Sequence, residues 1–325
     1  MTRTIPRKYL RFSGPLPVLP VWQRCIHYIR GVILFPFYWI AAGVLGTPGM
    51  GFRWRCFGLG LRLLAIVNVA EAYRCIVSPL DSVRHFEFDF FWRRTFRSGA
   101  KTLLDVSSPR LLPLMLLRAQ PDLSADVINP DANDLRRTVE LAEAIGVSKR
   151  CRFDSLRIEE LAQLQRSFDL ITCMSVLEHI VDDEGAIRVM WSLLTPGGRL
   201  LVSVPCAASA YEEHSNVDEY HLLESDAEGF VFWQRFYDRA MLERIFAITG
   251  PPASQAIFGE RKAGNYDADV VAKRTDPRYP RWREPYATTR AYAYRDSLDD
   301  LPGMGVIAME FVKPATTIAA RAGTN

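Results

Sequence analysis

Between Lys101 and Pro205 three apolar, β-branched runs end in residues that can hold a ligand or move a proton. "KTLLDVSSP" supplies Asp105, Ser107 and Ser108, and "RSFDLITCMSVLEHI" supplies Cys173, Met174 and the pair Glu178-His179. The third, "LLTPGGRLLVSVP", runs into "CAASAYEEHSNVDEYHLLESD", which carries Tyr211, Glu212, His214 and His221. Acids, amides and hydroxyls in such places suit a polar ligand. Histidine titrates nearest neutral pH, so His214, closest to the strand end, ranks first as a base and His221 second.

The elements that must position these groups alternate regularly. Strands are expected at Lys101–Val106, about Ala125–Asn129, Cys151–Phe153, Phe168–Met174 and Arg199–Val204. Helices are expected within Arg110–Gln120, over Asp131–Ile145 and over Asp183–Leu194. Such a βαβα series implies a doubly wound, mostly parallel sheet whose carboxyl ends converge on one crevice. Pro113 requires the first helix to begin near Leu111 or Leu112. Further on, "FVFWQRFYDRAMLERIFAITG" reads as a helix with Phe236, Ala240, Leu242, Ile245 and Phe246 inward. "ASQAIFGE" and "GVIAMEFVK" read as the last two strands, the final one inserted antiparallel.

This set resembles the class I S-adenosylmethionine-dependent methyltransferases, in particular the small-molecule branch with "LEH" after its fourth strand. The resemblance implies a Rossmann-like, seven-stranded α/β fold and S-adenosyl-L-methionine as cofactor, bound across the ends of strands one, two and four. It assigns Asp105 to the amino-acid end of that cofactor. Ser107-Ser108-Pro109 stands where the family carries glycines, and the two serines are small enough to touch the ligand. Val127 aligns with the family's ribose-binding acid, so that task is expected of Asn129 at the strand's end, ahead of Asp126, an acid one residue too early. Asp154 matches the acid after strand three that contacts the adenine, and Cys173 and Met174 line the reactive side. Glu178 and His179 serve structure or chemistry. The loop holding His214 and His221 passes over the open side of the methyl group.

No Asn/Asp-Pro-Pro-Tyr/Phe motif follows strand four, which argues against the nucleic-acid amino-methylating enzymes of this superfamily. No G-x-G-x-x-G follows strand one, which argues against a nicotinamide enzyme. Six scattered cysteines form no C-x-x-C pair, so neither a zinc site nor a disulfide framework is expected, and a reduced, cytoplasmic setting is the default.

Charge is unevenly spread. Residues 1–100 hold 14 Lys+Arg against 4 Asp+Glu, a net +10, while the remainder holds 26 against 33, a net −7. An anionic partner for the amino-terminal part follows. Gly31–Phe52 is uncharged, and Cys56–Ala70 is a second apolar run interrupted by Arg62. With Pro36 inside it, the first run is short for a clean bilayer span. These runs read as a pair of oily helices lying on or dipping into a membrane face, or else packing inside the protein or between subunits. Arginines interleaved with long aliphatic runs do not make a nucleic-acid patch. "VRHFEFDFFWRRTF" (Val83–Phe96) either docks this part onto the sheet edge or lines the mouth of the site.

Residues 1–98 are thus expected to form a basic, apolar helical extension, and residues 99–325 a methyltransferase-like domain. An insertion near 262–303 interleaves arginine with tyrosine and is either a lid or a surface hairpin. The expected function is methyl transfer to oxygen or nitrogen of a small or lipid-linked acceptor, peripherally on the inner face of a membrane. The rival is a non-catalytic binding or scaffold protein of the same fold.

Overall fold

The computed structural model describes residues 5–12, 14, 18–66, 68–163, 166–218, 223–278 and 281–315. Strand β1 (Arg7–Leu10) precedes four helices: α1 (Val21–Val44), α2 (Met50–Ala65), α3 (Val69–Val77) and α4 (Arg84–Thr95). The alternating series follows as β2 (Thr102–Val106), α5 (Leu111–Ala119), β3 (Ser124–Ile128), α6 (Ala132–Ala144) and β4 (Cys151–Asp154). It continues through β5 (Phe168–Met174), α7 (Asp183–Ser192) and β6 (Leu194–Ala207). The last third comprises β7 (Tyr211–Ser215), β8 (Val231–Phe236), α8 (Arg239–Thr249) and β9 (Ser254–Glu260). It ends with α9 (Asn265–Thr275), α10 (Glu284–Ala291), β10 (Tyr292–Arg295) and β11 (Met304–Val312).

The main sheet runs β4-β3-β2-β5-β6-β11-β9-β10. Strands β2 to β6 are parallel, and β11 lies antiparallel between β6 and β9, as expected of the last strand. Chain order reverses between β2 and β5, so their carboxyl ends open the crevice in which such folds bind ligands. The seven expected strands are present, with an eighth, β10, added antiparallel at the edge from the insertion. A second sheet, β1-β7-β8, was not legible in the sequence. Where a loop was expected after the fifth strand, Tyr211–Ser215 pairs antiparallel with β8 and parallel with Arg7–Leu10 from the start of the chain.

Phe236 ends strand β8 rather than facing inward from a helix. The aromatic run before it is extended, and the helix begins at Arg239 because Asp238 caps it, accepting from Met241 N–H at 3.0 Å. Leu242 and Ile245 are buried on that helix as expected, whereas Ala240, also expected inward, is exposed and Phe246 is half-buried.

One apolar cluster on the sheet joins Leu103, Leu114 and Val127 to Phe52, Leu59, Phe88 and Phe91 of α2 and α4. Another, with α7 and α8, gathers Ile171, Ile187, Val202 and Ile245. The amino-terminal helices therefore complete the main core. Helix α4 lies on the sheet itself, with Phe86 stacked on Phe258 of β9 at 5.3 Å. Helix α1 packs by a narrow flank, where Gly31 lets Tyr73 and Trp282 approach so closely that a Cβ would collide with them.

Candidate functional site

At the carboxyl ends of β2, β3 and β5 lies a cavity of about 580 Å³, within the range of small-molecule sites. Local signals in the chain build its rim. Asp131 caps α6, accepting from the N–H groups of Asn133 at 2.8 Å and Asp134 at 3.3 Å, and this sets Asp134 and Arg137 in the cavity wall. Asn129 is in the wall too, but its side chain bonds internally: Nδ2 donates to Asp134 Oδ2 at 3.0 Å, and Oδ1 accepts from Asp131 N at 2.9 Å. Asn129 thereby orients the carboxylate of Asp134.

The glycine-free loop has a glycine-like backbone. Ser107 takes φ +51°, in the left-handed region, while its N–H and Oγ both donate to Ile128 O, at 2.9 and 3.1 Å. Ser108 is buried behind it, and its Oγ accepts from Met174 N at 3.1 Å. Asp105 lies beneath the loop, fully buried and outside the cavity lining. It accepts from Ser108 N at 3.1 Å and from Thr172 Oγ1 at 2.6 Å. Burial pushes its carboxyl up to about 6, against hydrogen bonds from Thr172 and Ser108 that lower it. Asp105 thus reaches the site through the loop it shapes.

Of the other expected cofactor residues, Met174 lines the cavity, while Cys173 is buried off it. Asp154 ends β4 and pairs with Arg152 at 2.6 Å. Its carbonyl accepts from Asn129 N at 3.2 Å, and the cavity is lined instead by Leu156, Arg157 and Ile158 just beyond.

His214 is not among the cavity-lining residues. It sits on β7 with its ring 5.6 Å from Tyr9 and 5.8 Å from Phe232, its Nε2 3.5 Å from Glu212. His221 lies outside the described residues. Described residues of β8 and of the segment after β7 do reach the site, contributing Val217, Asp218, Val231, Phe232 and Trp233 to the lining. No described residue of the insertion at 262–303 lines the cavity; α10 and Trp282 pack against α1 instead.

The histidine in the wall is His179, from the 3₁₀ turn Leu177–His179 after β5. Its Nδ1 meets the main-chain oxygen of Trp233. A carbonyl can only accept, so Nδ1 carries the proton and Nε2 is the basic nitrogen. Burial holds its pKa at about 4, with the Trp233 carbonyl acting against that shift and the Arg84 charge adding to it. Glu178 Oε1 lies 3.9 Å from Nε2. Burial raises that carboxyl to about 8, and its Oε2 has no hydrogen-bond partner among the described residues.

Helix α4 supplies the remaining charges. Glu87 accepts from Ser203 Oγ at 2.6 Å, from Ser175 Oγ, and from Arg84 Nη1 at 2.8 Å. Arg84 lines the cavity, so the segment Val83–Phe96 both docks on the sheet and borders the site. No acid-base motif in the sequence pointed to Glu87. Its only signal was a charged residue within a dense aromatic run.

The cavity suits the cofactor that the resemblance implies. Asp131 and Asp134 present carboxylates for hydroxyl groups, Ile128, Leu156 and Ile158 present apolar walls for a flat ring, and Ser107 brings main chain close.

A family model described as a methyltransferase domain matches residues 104–250. Over 126 residues, 38% of this chain, the protein is 31% identical to the ubiquinone biosynthesis O-methyltransferase of Xanthomonas axonopodis pv. citri (strain 306). Over a stretch of the same length it is 32% identical to that of Xanthomonas campestris pv. campestris (strain B100). The match covers 51% of each relative, so the chain spans about half the length of the curated relatives it matches. The structure of coclaurine N-methyltransferase bound to N-methylheliamine and SAH aligns over 70% of this chain and 71% of its own, at 10% identity and a TM-score of 0.46.

Proposed function

We propose that the protein, whose residues 104–250 match a family model described as a methyltransferase domain, transfers a methyl group from S-adenosylmethionine to an oxygen of a small or lipid-linked acceptor. The observation that carries this reading is one cavity wall holding both a cofactor-suited polar rim and a neutral histidine. The relatives, O-methyltransferases by name, favour oxygen over nitrogen.

When bound, S-adenosylmethionine supplies a methyl group already activated on a sulfonium. Asp131, Asp134, Leu156 and the Ser107 backbone are the groups that would hold it, and Asn129 keeps Asp134 in place. Phe232 and Trp233 of the hairpin exclude water from the site. His179 Nε2 accepts the hydroxyl proton, with Nδ1 pinned by Trp233 O so that the ring keeps one tautomer. Positioning and proton removal are then the tasks left to the protein.

Calorimetry with S-adenosylmethionine and S-adenosylhomocysteine tests the reading. Both should bind, and Asn129→Ala should weaken binding about tenfold, as the loss of an oriented hydrogen-bonding acid predicts. An intact, folded chain that shows no heat with either compound at millimolar concentration overturns it in favour of a non-catalytic scaffold.

A further inference from the structure

Helix α1 turns an apolar face outward. Trp22, Ile26, Ile29, Ile33, Phe37, Ile40 and Val44 recur at steps of three and four residues, which places them in one stripe. Each is between 56 and 83% exposed. The opposite flank, with Gly31, Trp39 and Ala42, is the buried one. A soluble helix shows the reverse arrangement. The patch extends onto α2, where Trp54 is 58% exposed and packs edge-on against Trp39 at 5.1 Å, and Leu61 is also exposed.

Charge decides what covers this face. Residues 1–70 contain nine Lys+Arg and no Asp or Glu. Arg24, Arg30, Arg55 and Arg62 are exposed on α1 and α2. A second copy laid against the stripe would bring like charges together, whereas an anionic surface would be complementary. On the side where α1 packs against α10, an open hollow of about 370 Å³ is lined by Tyr38, Tyr286, Arg283 and Arg290, adding two guanidinium groups beside the helix.

Geometry decides how that surface is met. With 24 residues α1 is about 36 Å long, and it is the one helix among the described residues long and apolar enough to cross a membrane. It is nonetheless fixed to the body along most of its length. His27 and Tyr38 lie against Trp282, Tyr38 also against Tyr286, and Thr47 Oγ1 donates to Pro285 O at 3.1 Å. Helix α10 and the turn before it carry Arg283 and Arg290, which belong in water or among headgroups. We propose that α1 and the adjoining face of α2 form a monotopic docking surface for an anionic phospholipid bilayer. The helix lies in the interface plane with its stripe among the acyl chains and its arginines at the phosphates.

The test is flotation of the full chain with phosphatidylcholine vesicles, with and without phosphatidylglycerol. The protein should float with the anionic vesicles, and high salt should reduce this without abolishing it. The triple substitution Ile29→Ser, Ile33→Ser, Phe37→Ser touches only exposed side chains and should lower partitioning roughly tenfold per residue. Arg24→Gln and Arg62→Gln should each lower it about fivefold. S-adenosylhomocysteine binding, read in parallel, should be unchanged by all of these, which separates this proposal from the methyltransferase reading. Two results overturn it: a wild-type chain that stays with the unbound fraction, or a dimer in light scattering that the triple substitution dissolves while flotation is unaffected.

Discussion

Ser203 on β6 donates its hydroxyl to Glu87 on α4, Oγ to Oε1 at 2.6 Å, which joins the amino-terminal helices to the floor of the site. The side chain of Glu87 is fully buried, and its other oxygen holds Arg84 at 2.8 Å. One carboxylate therefore sets two serines and a cavity-lining arginine.

Glu87→Ala should cost roughly 2–4 kcal/mol of stability in urea denaturation, because it leaves a guanidinium and two hydroxyls without their acceptor. Glu87→Gln should cost less, since the amide oxygen still serves the serines. Equal losses in both variants would mean that the hydrogen bonds from the two serines contribute nothing to stability.

Asp105 gives a dependence on pH. Its pKa in the folded chain is about 6 against the usual 3.8, so the folded state binds the proton more tightly than the unfolded one. The stability this contributes is fully present below pH 3.8 and is lost as pH rises through about 6. Asp105→Asn should abolish this slope. The difference in stability between wild type and variant should fall by roughly 2–3 kcal/mol between pH 4 and 7. Parallel curves across that range would show that Asp105 does not titrate there.

Ser107 explains how the loop manages without glycine. Its left-handed backbone costs a side chain about 1–2 kcal/mol, which its hydroxyl offsets in part through Ile128 O at 3.1 Å. Ser107→Gly should leave stability within about 0.5 kcal/mol, as relief of strain and loss of the hydrogen bond oppose each other. Ser107→Val should destabilise by roughly 1–3 kcal/mol, because a β-branched residue tolerates this backbone least and cannot make the bond.

His179 sets the kinetic prediction. His179→Ala should lower turnover about 10²–10⁴-fold while S-adenosylhomocysteine binding is retained. Burial keeps the ring neutral down to about pH 4. The wild-type rate should therefore hold level through the range where an ordinary histidine protonates and fall only in stronger acid. An acid limb centred near 6.5 would instead point to a base other than His179.

Much of the central sheet was legible because its signals are local. The β-branched runs ending at Val106, Ile128 and Met174 are each long enough to be strands on their own terms, and Asp131 marks its helix by capping the residues right after it. Resemblance to a known family could then supply the order in which such strands assemble. What tertiary structure alone decided is which groups meet. Whether His179 or His214 faces the cavity depends on β7 pairing with Arg7–Leu10, some 205 positions earlier, and on the Trp233 carbonyl reaching across from β8. Glu87 enters the site only because α4 lies on the sheet, and Asn129 turns from a ligand candidate into the support of Asp134 through a bond within its own turn. The apolar runs near the amino terminus were plain in the sequence, but only packing against Trp282 and Tyr73 showed which face of α1 is left outward. Periodicity tells a helix which residues share a face. The neighbours it finds in space determine which face is covered.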